Sequence, residues 1–99
     1  MNMQQLMAQA QKMQRELQKA RNTLHEKEFS VNKAGAVTVT VKGDKTVSKI
    51  DIDPEALEDK EMVEEMIVLA LNELFEKIDE EEEEIENRIT GGRGGLGGF

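Results

Sequence analysis

The sequence predicts an α+β fold in which a helix, three antiparallel strands and a long second helix follow one another (α-β-β-β-α). Apolar residues recur every three or four positions in residues 3–27 and again in residues 60–89, which is the period of a helix. Between these segments apolar and polar residues alternate, as they do in half-buried strands. Short turns between consecutive strands favour an antiparallel sheet whose apolar side is covered by helices.

The first helix, residues 3–27, carries an apolar seam with a seven-residue period. Two interleaved series make up this seam: Met3, Ala10, Leu17 and Leu24, and Leu6, Met13 and Ala20. Such a pattern over about three heptads is typical of a helix that packs along another helix. Because several seam residues are small or flexible, we expect this helix to dock on the second helix rather than to form an autonomous coiled coil.

A basic stripe lies on the side of the first helix opposite the seam. Lys12, Arg15 and Lys19 follow one another at intervals of about one turn, and Arg21 is close by. A solvated helix face is one interpretation of these charges. The alternative is a phosphate-binding surface, because basic side chains at one-turn spacing can follow a polyanionic backbone. The candidate DNA contacts are therefore Lys12, Arg15, Lys19 and Arg21.

Residues 29–52 predict a meander of three strands. The clearest strand is residues 36–42, where Val37, Val39 and Val41 share one face. A turn at residues 33–35 precedes it, and Gly43-Asp44 predicts a two-residue hairpin loop after it. In the third strand, residues 46–52, Val47 is out of phase with the other apolar residues. We expect either a bulge near Val47 or a later start of the strand.

The second helix is predicted over Lys60–Ile89, and its first half contains the densest apolar segment of the chain, residues 62–75. Further along, the apolar face narrows to a seam, and acidic residues fill most other positions. A helix of this length would measure about 45 Å, so we expect half of it to form core and half to project as an arm. The candidate core or dimer residues are Leu6, Met13, Leu17, Val39, Ile67, Leu71, Leu74, Ile78 and Ile85.

Composition limits the class of protein. A chain of 99 residues with only three Phe and no Trp or Tyr can bury a thin core, so we expect one domain in residues 1–90 that oligomerises. The absence of cysteine suits a reducing compartment, and no apolar run has the ~18 residues of a membrane span. Residues 1–50 carry a net charge of +5 and residues 51–99 a net charge of −13, which predicts a basic face and an acidic arm.

No catalytic or ligand-binding motif stands out. His25 is the only histidine, and the glycines lie in turns and in the segment 91–99 rather than in a phosphate-binding loop. The acidic run 80–84 would point in several directions on a helix, so it does not predict a metal site. We therefore expect no enzyme activity, cofactor, metal or small-molecule substrate. Residues 91–99 are predicted to be a flexible tail, in which Arg93, Leu96 and Phe99 could contact a partner.

Three segments and the glycine-rich end together resemble the YbaB/EbfC family of bacterial nucleoid-associated proteins. The segments are LMAQAQKMQ (residues 6–14), GAVTVTVKG (35–43) and IDIDPEALEDKEMVEEMI (50–67). The resemblance implies a tweezer-like homodimer with projecting helices that binds double-stranded DNA in the cytoplasm and nucleoid, without a cofactor, and that affects nucleoid organisation and gene expression. From the charges we expect binding that is weak, sensitive to salt and largely independent of sequence.

Two alternatives remain open at this stage. In the first, the protein is an adaptor whose acidic helical arms and glycine-rich tail engage a basic protein partner in replication or repair. In the second, the acidic arm mimics DNA and inhibits a basic protein. An adaptor would lose its partner when residues 91–99 are deleted, and a DNA mimic would have no effect in the absence of its target.

Overall fold

The computed structural model describes residues 2–91 and confirms the predicted order of elements. The elements are α1 (Met3–Glu26), β1 (Glu28–Lys33), β2 (Val37–Lys42), β3 (Val47–Ile52), a 3₁₀ helix (Pro54–Glu58) and α2 (Lys60–Ile89). The described part of the chain is elongated and measures 68 × 28 × 14 Å. The predictions for Arg93, Leu96 and Phe99 concern residues outside this range. Neither helix combines the length and apolar composition needed to span a membrane.

The sheet has the order β1-β2-β3 with antiparallel neighbours, and α2 covers one of its faces. Val37, Val39 and Val41 are fully buried on this covered face. Thr40 pairs with Lys49 whereas Val41 pairs with Val47, so Ser48 is an extra residue on the β3 side. This irregularity confirms the expected bulge, and it turns Val47 to the covered face, where Ile50 also lies opposite Val39.

The loop between β2 and β3 is longer than the predicted two residues. The Lys42 amide donates to the Thr46 carbonyl at 2.8 Å, so three residues lie between this pair, and the left-handed backbone occurs at Lys45 (φ +68°) rather than at the glycine. Asp44 accepts hydrogen bonds from the Thr46 side chain and from the Thr46 amide, the latter at 2.9 Å, and these bonds hold the pKa of Asp44 below its usual value. The loop is therefore fixed by side-chain hydrogen bonds that the Gly-Asp pattern did not reveal.

Gly43 has a different function from the one that a hairpin glycine usually serves. Its amide donates to the Lys27 carbonyl at 2.9 Å, which holds the β2–β3 loop against the end of α1. A Cβ atom at this position would lie 1.8 Å from the Leu24 carbonyl oxygen. Only glycine allows the two backbones to approach so closely.

The two helices pack antiparallel, and both begin with side-chain caps. Asn2 and Gln5 form a capping box at the start of α1, and the Asp59 side chain accepts from the Met62 amide at 3.1 Å at the start of α2. Along the shared interface Lys27 pairs with Glu81 at 2.8 Å. A further pair, between Arg21 and Glu86 at 3.8 Å, has the same antiparallel register.

Only the second half of α1 docks on α2. Leu24 is buried, and Leu17 and Ala20 are packed against the core. Met3 and Leu6 at the other end are 72% and 49% exposed. The reason is the antiparallel register, which places the end of α2 beside the middle of α1 and leaves the first half of α1 without a neighbour in the described chain. The expected docking of α1 therefore applies to half of its seam.

The nine candidate core or dimer residues fall into three groups. Four are buried in the described chain: Val39, Leu74, Ile78 and Ile85. Three are partly buried and pack against this core: Leu17, Ile67 and Leu71. Leu6 and Met13 are exposed on α1.

Candidate nucleic-acid interface

The basic face of the protein consists of Lys12, Arg15 and Lys19, three exposed residues on the side of α1 that points away from the seam. From Lys12 to Lys19 the helix rises by about 10 Å, which corresponds to about three base-pair steps of 3.4 Å. Within residues 2–91 none of the three has a carboxylate oxygen within 4.0 Å. Their charges are therefore available to an external anion.

A row of amide side chains runs beside the basic face. Gln11, Gln14, Gln18 and Asn22 are all exposed, and they line one shallow groove along α1. Arg15, Lys19 and a single acidic residue, Glu26, line the same groove. Amide groups can donate to phosphate oxygens and can also pair with base edges in a groove of DNA. The surface therefore combines positive charge with neutral hydrogen-bonding groups.

Arg21 does not join the other three candidate residues. It lies on the flank of α1 that faces α2, where its guanidinium is 3.8 Å from the Glu86 carboxylate. To bind DNA, an arginine that already has a carboxylate partner must first exchange that partner for a phosphate. The structure thus brings together Lys12, Arg15 and Lys19 and leaves Arg21 at the interhelical contact.

Arg88 is a basic residue that the sequence analysis missed. It lies in the last turn of α2, and the antiparallel packing brings it to the same interhelical cleft as Lys19. Arg88 is exposed and has no carboxylate within 4.0 Å among residues 2–91. The sequence shows a basic residue at a helix end, but its position beside α1 depends on the register of the two helices.

The acidic residues of α2 are partly used within the chain. Four of them pair with basic residues from the first half of the sequence: Glu86 with Arg21, Glu81 with Lys27, Glu73 with Lys33 and Asp79 with Lys45. Glu81 lies opposite Lys27, and Lys12 is fifteen residues further along α1, a distance of about 22 Å. Since the Debye length at physiological salt is about 8 Å, salt screens Lys12 from Glu81. Glu81 and Glu84 line the same interhelical cleft as Lys19, so the acidic run lies close to that end of the basic face.

Residues 2–91 show neither a cluster of metal-type ligands nor a buried ionisable side chain. No group of three or more His, Cys, Asp or Glu side chains in residues 2–91 is arranged to hold a metal ion. The described residues also include no buried polar or charged side chain. Perturbed acid–base groups usually require such burial, so the basic face is the strongest candidate site.

Comparisons with known proteins relate the chain to a family that is described as DNA-binding. The model of the YbaB/EbfC DNA-binding family matches residues 1–93. A nucleoid-associated protein of Mycoplasmopsis pulmonis is 44% identical over 94% of this chain and 94% of its own length. A nucleoid-associated protein of Ruminiclostridium cellulolyticum is 41% identical over 99% of this chain and 88% of its own length. The crystal structure of an uncharacterized Helicobacter pylori protein shares the fold, with a TM-score of 0.79, 22% identity and coverage of 91% of this chain and 98% of that one.

Proposed function

Because this chain belongs to the YbaB/EbfC DNA-binding family, we propose that it is a non-catalytic, nucleoid-associated protein that binds double-stranded DNA through the basic face of α1. The observation that carries this proposal is the set of three exposed cations at one-turn spacing, without carboxylate partners in the described chain. The two relatives are named nucleoid-associated proteins, which supports the nucleoid part of the proposal.

The contacts favour binding that depends little on base sequence. Lys and Arg side chains on a helix surface reach phosphate oxygens first, and phosphates carry no sequence information. The neighbouring amides of Gln11, Gln14 and Gln18 can donate to phosphate oxygens as well, and they would specify a base only if they paired with base edges in a groove. We expect the protein to shift duplexes of unrelated sequence at concentrations that agree within about threefold, because a mismatch in a specific site typically costs more than this.

A mobility-shift assay with several duplexes of matched length and different base composition tests this expectation. A preference of 100-fold or more for one duplex, estimated from what a few base contacts are worth, would show that base edges are read. A complete lack of binding to any duplex would contradict the proposal itself.

We also propose that a second copy of the chain covers apolar surface that remains exposed on the described fold. Val47 and Ile50 lie on the face of the sheet that α2 covers, but α2 packs mainly across β1 and β2, and these two β3 residues remain 41% and 42% exposed. On α2 itself, Val68 and Leu69 are 56% and 51% exposed. A small domain with apolar surface on neighbouring elements gains stability when a symmetric partner buries it.

A homodimer would also strengthen DNA binding. A two-fold axis repeats the basic face, so six cations rather than three contact one duplex when both faces can reach it. The second contact is then intramolecular, and its effective concentration raises the overall affinity. The dimer therefore explains how a short stripe of three charges per chain can hold DNA.

The variant Ile50→Thr/Leu69→Glu tests the proposed interface. Thr keeps a β-branched residue in β3, and Glu stays on an exposed helix face, so we expect the fold to survive while the dimer dissociates about 100-fold more readily. Sedimentation velocity over a concentration series measures this change. Asn87→Glu adds the same charge to the second half of α2 and should leave the dimer intact. Equal dissociation constants for the two variants would place the interface elsewhere.

The adaptor hypothesis receives less support from the contacts. Four acidic residues of α2 already pair with basic residues of the same chain, so they are counterions of the fold rather than a free surface for a basic partner. Glu80, Glu83 and Glu84 are exposed and make no ion pair within residues 2–91, so they form a free acidic surface on the second half of α2. An adaptor that uses this surface would bind its partner equally well after the basic face is neutralised, which distinguishes it from DNA binding.

A further inference from the structure

The first half of α1 presents an uncovered apolar stripe, which we call the α1 tip stripe: Met3, Leu6, Ala10 and Met13. These residues continue the same face of α1 on which Leu17, Ala20 and Leu24 pack against α2. All four are exposed, with Met3 at 72%, Leu6 at 49% and Met13 at 36%. The tip stripe therefore continues the face of α1 that packs against α2, but it lies beyond the end of α2 and is not covered by it.

The surroundings of the tip stripe are unusually free of charge. In a chain with 34% charged residues, no charged side chain occurs before Lys12. A surface of methionine, leucine, alanine and glutamine suits an apolar, uncharged ligand, and methionine side chains adapt readily to the shape of such a ligand. Neither DNA nor an acidic partner has this chemistry.

The segment that follows α2 also has little charge and contains large apolar residues, and it begins close to the tip stripe. Residues 92–99 read GRGGLGGF and contain one charged side chain, at Arg93, and two large apolar side chains, Leu96 and Phe99. The register set by the Lys27–Glu81 and Arg21–Glu86 pairs places the end of α2 beside Leu17, where the tip stripe begins. α2 also runs toward the N-terminus of α1, so a chain that continues in this direction meets the tip stripe.

The segment 92–99 is long enough to extend along the tip stripe. From Met13 to Met3 the helix spans about 15 Å, and eight residues in extended conformation reach about 26 Å. We propose that residues 92–99 of the same chain bind along the α1 tip stripe, with Leu96 and Phe99 as the apolar contacts. This inference rests on the packing of the helices and is independent of the proposed DNA binding.

Paired cysteines test the proposal directly, because the chain has no cysteine of its own. Ala10 lies on the tip stripe, whereas Ala8 is also exposed but lies on the opposite side of α1. The variants Ala10→Cys/Gly97→Cys and Ala8→Cys/Gly97→Cys keep Leu96 and Phe99 and differ only in the face that carries the first thiol. Equilibration with glutathione, followed by mass spectrometry, gives the effective concentration of each cysteine pair.

We expect the effective concentration within one chain to be about tenfold higher for the Ala10→Cys pair than for the Ala8→Cys pair. Replacing Leu6 and Met13 by Gln in the first variant should remove this difference, and it should not disturb the fold because both residues are exposed. Equal values for the two faces would overturn the proposal. Disulfides formed between chains rather than within them would also overturn it, since they would identify a second copy as the occupant.

Discussion

Replacing Lys12, Arg15 and Lys19 together by Gln is expected to weaken DNA binding by at least about 100-fold at physiological salt, because the substitution removes all six proposed phosphate contacts of a dimer and each lost contact forfeits the release of about one counterion. The substituted residues are exposed and make no ion pair within the described chain, so the fold should be unaffected. Fluorescence anisotropy of a labelled duplex measures the loss.

A matched control separates this effect from a general change in charge. Lys42, Lys49 and Lys77 are also exposed and lack a carboxylate within 4.0 Å in residues 2–91, but they lie on the sheet and on α2. Their triple replacement by Gln removes the same net charge away from the basic face. An equal loss of affinity in both variants would mean that binding follows overall charge rather than this face of α1.

The second large effect is expected from Gly43→Ala. The added Cβ would lie 1.8 Å from the carbonyl oxygen of Leu24 and 2.6 Å from the carbonyl carbon of the same residue. The end of α1 must therefore move away from the β2–β3 loop. That movement disturbs the buried Leu24 and the hydrogen bond from Gly43 to Lys27. We expect a loss of about 3 kcal/mol in the free energy of unfolding, which is at the upper end for overpacking and a large part of a small domain's stability.

Gly35→Ala is the appropriate comparison. Gly35 has a positive φ of +65°, but no heavy atom lies within 4 Å of an added Cβ. The expected loss is therefore only the backbone strain of about 1 kcal/mol. Urea unfolding followed by circular dichroism measures both variants. If Gly43→Ala proved no worse than Gly35→Ala, the close approach of the loop to α1 would contribute little to stability.

Most of the fold could be predicted because local patterns determine it. The alternation of Val37, Val39 and Val41 specified the central strand and its buried face. The out-of-phase Val47 indicated either a bulge or a later start of β3, and only the register of β3 against β2 decides for the bulge. The helices followed from their apolar periodicity and from caps such as Asp59.

What could not be predicted depends on particular hydrogen bonds within a loop and on contacts between distant segments. The length of the β2–β3 loop is set by hydrogen bonds among Lys42, Lys45 and Thr46, and the need for Gly43 comes from Leu24 on another element. Similarly, the sequence placed Lys12, Arg15 and Lys19 on one face but could not show that Arg21 turns toward Glu86 or that Arg88 approaches Lys19. These positions follow from the antiparallel register of α1 and α2, which no local pattern encodes.

The central claim is that the protein binds DNA through phosphate contacts of the basic face. The most direct test is the anisotropy of a labelled duplex titrated with the unaltered protein over a series of salt concentrations. If a dimer makes six phosphate contacts, the logarithm of the binding constant should fall with the logarithm of salt concentration with a slope of about −5. A slope near zero, or no binding even at low salt, would contradict the claim.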